Sequence, residues 1–305
     1  MINLKISFQH KNVIIKITFA SKEIGLKYSG IIYMLVASVC FTLVNTCVKF
    51  LHHIPAHELV FFRSAISFII CLYFIARYNL PFFGNNKKWL VLRGLFGCFS
   101  LVLFFITIKN LPLASATTIQ YLSPIFTIII ALFLFKEVVK PIQWLFFAIA
   151  LLGCFLIKGF NNDISFAYIF LGLLSACLSG VAYNAIKMSA NTDHTITIVM
   201  YFPMIALPIM GIWCLFDWVM PVGKDWLFLL IMGIFVQIAQ VCMTKALTSS
   251  ATSLVMPLKY LGAVYAFLVG LFLFDERLEW ISIAGILLVI FGVLTNTLIR
   301  RKIVG

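Results

Sequence analysis

The stretch ALFLFKE at residues 131–137 returns as GLFLFDE at residues 270–276, 139 positions further along the chain. With the same offset, QYLSP at 120–124 falls on KYLGA at 259–263, and GLF at 94–96 falls on GIF at 233–235. The register holds without a gap over this part of the two halves. The sequence therefore predicts two copies of one structural unit.

The composition is that of a membrane protein. The chain has 305 residues, of which 63% are hydrophobic and only 11% are charged, and its mean hydropathy is +1.09. These values lie far outside the range of soluble domains. A bilayer core of about 30 Å needs roughly 20 apolar residues per helix. The sequence predicts ten such spans, at 29–48, 58–76, 89–108, 113–135, 142–159, 165–187, 196–216, 226–246, 251–274 and 280–299.

The basic residues predict the orientation, because Lys and Arg in short loops mark the cytoplasmic side. With the N-terminus inside, fifteen of the 23 Lys and Arg residues lie in inner segments and five in outer segments. Both termini are therefore expected in the cytoplasm, which requires an even number of crossings. The net charge of +13 lies in tails and loops beside the spans, so we expect contact with lipid headgroups and no nucleic acid.

Each repeat unit contains five spans, and an odd number forces the second copy to enter the membrane the other way up. The predicted fold is an all-α membrane protein with ten transmembrane helices as two inverted five-helix repeats, at 29–159 and 165–299. Residues 1–28 lack the continuous apolar stretch and cleavage site of a signal peptide, and we expect them, like residues 300–305, to be a cytoplasmic tail. Inverted repeats are typical of carriers with a site near the midplane.

Two five-helix units that end in ALFLFKE or GLFLFDE, followed by helices with LLGCFLI or VIFGVLT, resemble the EamA-type carriers of the drug/metabolite transporter superfamily. The resemblance covers residues 29–299. It implies a secondary carrier in the cytoplasmic (inner) membrane whose cavity is lined mainly by spans 1–4 and 6–9. It does not imply a substrate, since the family handles amino acids, sugars, nucleotide derivatives and drugs.

Within this family, the chain is similar to S-adenosylmethionine uptake carriers of intracellular bacteria. Its 17 Lys against 6 Arg suggest an AT-rich genome, as is common among metabolite scavengers. Uptake of S-adenosylmethionine, with exchange as one mode, is thus the first expectation for the substrate. An amino-acid or other metabolite or drug exporter is the alternative within the superfamily. A non-transporting assembly factor or scramblase is the alternative from another class, and the chain is expected to be a monomer or homodimer.

Lys259 is the first candidate for the substrate site. It lies eight residues beyond the predicted start of its span, about 12 Å of rise, which a lysine stem cannot cover to reach the interface. It is expected to line a cavity or to have an interhelical partner. Its repeat mate is Gln120, and each is followed by a tyrosine, Tyr260 and Tyr121. Pro124 has no N–H to donate to the carbonyl of Gln120, so this carbonyl is left as a free acceptor beside the pair.

Other polar residues in the spans are weaker candidates. Arg63 is close enough to the outer end of its span to reach the interface, so cavity lining and anchoring remain open, and Arg93 is expected to be an interfacial anchor. Asn45, Asn184 and Gln237 are candidates for hydrogen bonds to substrate, although interhelical bonding is the commoner use of such residues.

No acidic residue lies in the interior of a predicted span. All ten lie in the tail, in loops or at span ends, and proton-driven carriers usually bury a carboxylate. An exchanger or facilitator is therefore favoured, with Glu58 the one acid kept as a relay candidate. The cluster HHIPAH at 52–57 lacks the spacing of a metal site, and no catalytic or nucleotide-binding motif occurs. We expect no enzyme activity, cofactor or metal.

Overall fold

The computed structural model describes residues 30–135, 141–157, 165–190, 192–249, 258–259, 261–276 and 279–304. These residues are helical or irregular, with no strand in the part of the chain described. The helices are α1 Gly30–Phe50, α2 Ala56–Tyr78, α3 Lys87–Asn110, α4 Leu113–Gln120, α5 Ser123–Phe135, α6 Pro141–Ile157, α7 Phe166–Ser189, α8 Thr195–Cys214, α9 Asp225–Ser249, α10 Leu261–Leu273 and α11 Trp280–Val304.

Six of these helices, α1, α2, α3, α7, α8 and α9, are long and apolar enough to cross a membrane. They coincide with the first, second, third, sixth, seventh and eighth predicted spans. The remaining described helices are shorter or interrupted, apart from α11, whose apolar part is Trp280–Gly292. The chain is therefore a multi-pass membrane protein.

The fourth predicted span is two helices instead of one. Helix α4 ends at Gln120 and α5 begins at Ser123, with Tyr121 and Leu122 in a turn. The amide of Leu122 donates to the carbonyl of Ile119 at 3.0 Å, which is a tighter i to i−3 bond. Pro124 explains the break, because it has no N–H to donate to Gln120 and its ring disfavours helical geometry in the preceding residue.

Hydrogen bonds between loops identify the two ends of the bundle. At one end, Lys49 donates to the carbonyl of Leu111 at 2.8 Å, and the amide of Val219 donates to Glu58 at 2.9 Å. At the other end, Thr197 donates to the carbonyl of Pro81 at 2.8 Å. Helix α2, with 23 residues, separates the two ends by about 34 Å, which matches the thickness of a bilayer core. The loops after α1, α2 and α3 therefore alternate between the two ends.

Close contacts between helices recur with the offset of the sequence repeat. A Cβ atom on Gly153 of α6 would lie 2.8 Å from the carbonyl oxygen of Gly285 in α11. A Cβ atom on Gly292 of α11, 139 residues later, would lie 2.8 Å from the carbonyl oxygen of Phe146 in α6. The two helices thus approach each other through equivalent glycines, as a twofold relation between repeats requires.

One position of the repeated motif faces outward in both copies. Phe133 in α5 and Phe272 in α10 occupy the same position of the repeat, and their side chains are 77% and 76% exposed. A phenylalanine with this exposure is stable on a surface that meets hydrocarbon. At the end of the second motif, Glu276 pairs with Lys49 and accepts a hydrogen bond from the amide of Leu113 at 2.8 Å. The acid therefore joins α10 to α1 and α4, whereas its repeat mate Glu137 lies outside the described residues.

Candidate functional site

A cavity of about 120 Å³ lies among α1, α2, α3, α4, α7, α8 and α9, beside Lys259. This volume is below the roughly 300–1,000 Å³ of sites that enclose a whole drug-sized ligand. Its aromatic wall consists of Phe41, Phe104, Phe105, Tyr121, Tyr183 and Phe202. Such a wall can hold an organic molecule, while the few polar groups in it fix the orientation.

Three cationic side chains line this cavity. Arg63, Arg93 and Lys259 are only 2%, 4% and 8% exposed, and no carboxylate lines the cavity among the residues that the structure describes. A charge without a counter-ion in a low-dielectric site has a large desolvation cost. The cavity is therefore strongly electropositive and suited to an anion.

Arg63 and Arg93 contact the same aromatic ring. Their guanidinium carbons lie 4.9 and 5.3 Å from the ring centre of Phe202. Contacts of this kind offset part of the cost of burying a cation. The same distances place the two guanidinium carbons at most about 10 Å apart, and two like charges at that separation repel by roughly 1.7 kcal/mol at an effective dielectric constant of about 20.

Arg93 differs from its sequence prediction. It was expected to be an interfacial anchor, but it is buried, lines the cavity and donates from Nη2 to Oε1 of Gln240 at 3.0 Å. The reason lies one helical turn further on, where a Cβ atom on Gly97 would be 2.7 Å from Nη1 of Arg93. The glycine leaves space for the guanidinium beside α3. The spacing Arg-x-x-x-Gly was the one sequence signal for this arrangement.

Lys259 lies in a short helical turn just before α10 and faces the cavity. Its ammonium donates to the hydroxyl of Tyr183 at 2.9 Å and lies 4.7 Å from the centre of the same ring. Tyr183 was not identified from the sequence, because nothing distinguishes it from the other aromatic residues of the spans. The next residue, Tyr260, lies outside the described residues.

Gln120 also lines the cavity, but both ends of its amide are occupied. Its nitrogen donates to Ser179 at 2.7 Å, and its oxygen accepts from Ser175 at 2.9 Å. The two serines are one turn apart on α7. Ser100 of α3 contacts both, at 3.2 Å from Ser175 and 2.6 Å from Ser179. Gln120 thus belongs to a polar network that fastens α4 and α3 to α7.

Tyr121 lines the cavity next to Gln120, and its hydroxyl reaches α10. A Cβ atom on Gly262 would overlap this hydroxyl oxygen and would lie 3.4 Å from Cζ of the ring. The glycine is required for the close approach of the two halves here. Asn45 of α1 is the remaining predicted residue in the cavity wall, and no hydrogen bond of its side chain is found among the described residues.

Two predicted site residues point elsewhere. The amide nitrogen of Asn184 donates to the carbonyls of Thr127 and Gly180, both at 3.0 Å, so this side chain joins α7 to α5. Gln237 of α9 accepts from Ser67 and donates to the sulfur of Cys71 at 3.1 Å. Neither residue lines the cavity with the three cations.

A second cavity opens between α2, α8 and α9 towards the end that contains Pro81. Its wall is mainly aliphatic and aromatic, with Gln237, His194 and Lys245 as its main polar members. Because Gln237 is already bonded to α2, few polar groups converge here. This space lacks the features that fix the orientation of a polar solute.

His53, His57 and Glu58 stabilise the end of the bundle opposite to Pro81. His57 stacks on Trp213, with ring centres 5.2 Å apart, and its Nε2 lies 2.8 Å from the carbonyl oxygen of Asp217. His53 contacts Asp225 at 3.0 Å. Glu58 is buried and outside the cavity, with one carboxylate oxygen bonded to the amide of Val219. Within the described part of the chain, no cluster of His, Cys, Asp or Glu is arranged to hold a metal ion.

A multi-pass helical protein with an electropositive cavity among its spans has the architecture of a membrane transporter. The profile of the EamA-like transporter family matches residues 28–159 and again residues 166–298. The chain belongs to this family, which confirms the resemblance seen in the sequence. Family and relatives are transporters, not enzymes.

Several characterised proteins are similar to the chain. The pseudopaline exporter CntI of Pseudomonas aeruginosa strain UCBPP-PA14 is 31% identical over 269 residues, covering 86% of this chain and 93% of the exporter. Solute carrier family 35 member G1 of Mus musculus is 26% identical over 295 residues, covering 90% and 80%. The S-adenosylmethionine uptake transporter of Rickettsia prowazekii is 22% identical over 274 residues, covering 86% and 90%.

A solved crystal structure of a protein has the same fold. It superposes with a TM-score of 0.66 at 18% sequence identity, covering 91% of this chain and 99% of the other. At this level of identity the similarity concerns the fold alone.

Proposed function

We propose that this protein is a secondary carrier that moves a small anionic metabolite across the cytoplasmic membrane by alternating access. The observation that supports this most directly is the cavity with three buried cations and no carboxylate among its described lining residues. A substrate with a carboxylate or phosphate group supplies the missing counter-charge. No P-loop occurs in the sequence, so transport is not expected to be driven by nucleotide hydrolysis.

The proposed architecture has ten crossings in two inverted repeats, 29–159 and 165–299, with the tails 1–28 and 300–305 in the cytoplasm. Helices α4 and α5 together form one crossing. The reciprocal contacts of Gly153 and Gly292 and the two family matches support this arrangement. The two halves rock about the cavity between them, as in other inverted-repeat carriers. The carrier acts as a monomer or homodimer in contact with membrane lipid.

The proposed transport step uses the contacts at the two ends of the bundle. At one end, the Lys49 and Glu276 ion pair and the bonds of Glu58 hold the loops together. At the other end, Asp193 accepts from the amide of Asn86 at 3.2 Å. Opening an end breaks these polar contacts together with the apolar packing around them. The partly exposed pairs contribute about 1 kcal/mol or less each, whereas Glu58 is buried and its bond to Val219 costs more to break.

S-adenosylmethionine, the first expectation from the sequence, is the second candidate here. The Rickettsia prowazekii relative bears that name, and the aromatic wall suits an adenine ring. Its carboxylate would pair with Lys259 or an arginine. Its sulfonium and ammonium groups, however, would have to enter a cavity with three cations, and only cation–π contacts are available to hold them. An anion therefore fits the charges better.

The direction of transport is open in this proposal, since relatives include both an exporter and an uptake carrier. Counterflow in proteoliposomes tests it without a prior choice of direction. Vesicles are preloaded with an unlabelled solute, and entry of the same labelled solute is followed for a carboxylate metabolite, a phosphate ester, a neutral amino acid and S-adenosylmethionine.

We expect counterflow with an anionic metabolite and little with S-adenosylmethionine. Entry of S-adenosylmethionine stimulated by internal S-adenosylhomocysteine would make the second candidate the function. Vesicles that move none of these solutes but scramble labelled lipid would replace the carrier with a scramblase, and support of a partner's assembly without transport would indicate an assembly factor.

A further inference from the structure

We propose that the substrate carries at least two negatively charged groups, bound between Arg63 and Arg93 at the ring of Phe202. This inference rests on the proposed carrier function and adds the charge of the substrate to it. It concerns residues on three helices, α2, α3 and α8, that meet only in the folded protein.

The first step is the sharing of one ring by two guanidinium groups. Both lie within 5.3 Å of the centre of Phe202, so the two guanidinium carbons are at most about 10 Å apart in the cavity wall. Like charges in this arrangement repel each other, and one aromatic ring cannot neutralise both. A ligand with a negative group at each guanidinium offsets their repulsion and also gives each of them a counter-charge.

The second step is the number of free donors. Each guanidinium has five N–H groups in a planar fork. Nε of Arg63 and Nε of Arg93 have no hydrogen-bond partner among the described residues, and the Nη2 bond of Arg93 goes to the neutral amide of Gln240. Such forks match carboxylate and phosphate groups with two parallel bonds. Each arginine is therefore equipped to hold an anionic group.

The third step distinguishes one negative charge from two. A monoanion pairs one arginine and leaves the other buried without a counter-charge, which keeps most of the desolvation cost. A dianion satisfies both. Lys259 is bonded to Tyr183 and remains available to a further polar group of the substrate. The cavity therefore favours an organic dianion over a neutral or zwitterionic amino acid.

The test measures binding to the purified protein by isothermal titration calorimetry. The ligands are dicarboxylates from malonate to adipate, the monoamide of each diacid as its isosteric monoanion, and glycerol phosphate as a compact dianion. We expect the best diacid to bind at least about 30-fold more tightly than its monoamide, the ratio for an unpaired buried charge. Equal affinities for diacid and monoamide, or binding of neither dianion, would overturn the proposal. Binding of glycerol phosphate alone would keep the dianion and identify phosphate as the group.

Two arginine variants test where the two negative groups of the substrate bind. Arg63→Met and Arg93→Met are each expected to weaken the diacid about 30-fold and its monoamide less than threefold, because a single remaining arginine suffices for a monoanion. Arg77→Met is the matched control, since Arg77 lies on the same helix as Arg63 but is exposed. An equal loss for diacid and monoamide in both variants would contradict the division of charges. The wild-type comparison keeps the proposal testable if a variant does not fold.

Counterflow separates this inference from the carrier function. Exchange of a monoanion or zwitterion that no dianion inhibits would retain the carrier and reject the dianion site. Tight binding of a dianion to a protein that moves no solute would retain the dianion site and reject the carrier function.

Discussion

Gln120 and Lys259 stand at the same position in the two halves of the chain, yet they have different surroundings. The amide of Gln120 is bonded at both ends by Ser175 and Ser179. The amino group of Lys259 has one described hydrogen bond, to Tyr183, and lies in the cavity wall. One half thus uses this position to fasten helices, and the other uses it to present a charge. A duplicated fold therefore supplies equivalent places, and the local partners decide which of them is available to a ligand.

The largest expected effect separates these two positions directly. Lys259→Met removes one of the three buried cations that are proposed to attract an anionic substrate, and we expect the initial rate of counterflow to fall about 100-fold. Gln120→Leu removes an amide that is already satisfied and is expected to lower the rate less than fivefold. Rates are divided by the amount of protein inserted in the vesicles.

Lys88→Met provides the matched control, because Lys88 is exposed at the start of α3. Its rate is expected to equal that of the wild type. Unchanged transport by a normally inserted Lys259→Met protein would remove Lys259 from the site, and a greater loss in Gln120→Leu than in Lys259→Met would reverse the comparison.

The second effect concerns the place where the two halves touch. Gly262→Ala puts a methyl group on the hydroxyl of Tyr121, and overpacking of this kind costs about 1–3 kcal/mol. We expect a lower melting temperature in detergent. Tyr121→Phe removes the hydroxyl and leaves Cζ at an ordinary contact distance of 3.4 Å from the added methyl group.

The double variant Gly262→Ala with Tyr121→Phe is therefore expected to regain most of the loss relative to Tyr121→Phe alone. Additive losses in the double variant would show that the methyl group meets something other than this hydroxyl.

Much of the fold was predictable because bilayer thickness and hydrophobicity act on each span separately. Pro124 was expected to leave the carbonyl of Gln120 without its intrahelical partner, but the division of that span into α4 and α5 was not predicted. The residues of the site were harder to predict from the sequence. A span that is apolar on all sides has no stripe that says which face turns inward. For this reason Arg93 was expected at the interface, and Asn184 was a site candidate although it bonds the backbone of α5.

The third effect tests whether equivalent glycines have equivalent roles. Gly153→Ala and Gly292→Ala each bring a methyl group against a backbone carbonyl of the facing helix, at 2.8 Å in both cases. We expect two similar decreases in melting temperature, from a cost of about 1–3 kcal/mol each. Gly223→Ala lies in a loop with nothing within 4 Å but has a positive φ of 54°, so it controls for backbone strain alone. A large loss at only one of the two helix glycines would argue against a twofold relation between α6 and α11.

The smallest effect sharpens the difference between the two halves at the level of single hydrogen bonds. Ser175→Ala and Ser179→Ala each remove one bond to Gln120 inside the helix bundle, where such bonds contribute about 0.6 kcal/mol on average. Each variant is expected to lower the melting temperature slightly and to leave counterflow nearly unchanged, because α7 remains packed on α3. Tyr183→Phe, on the same helix, is the corresponding variant for Lys259, since it removes the bond to Lys259 and keeps the ring beneath the ammonium. This variant is expected to alter the apparent affinity for substrate more than the melting temperature. If both serine variants impaired transport as strongly as Tyr183→Phe, the network around Gln120 would have to take part in substrate binding.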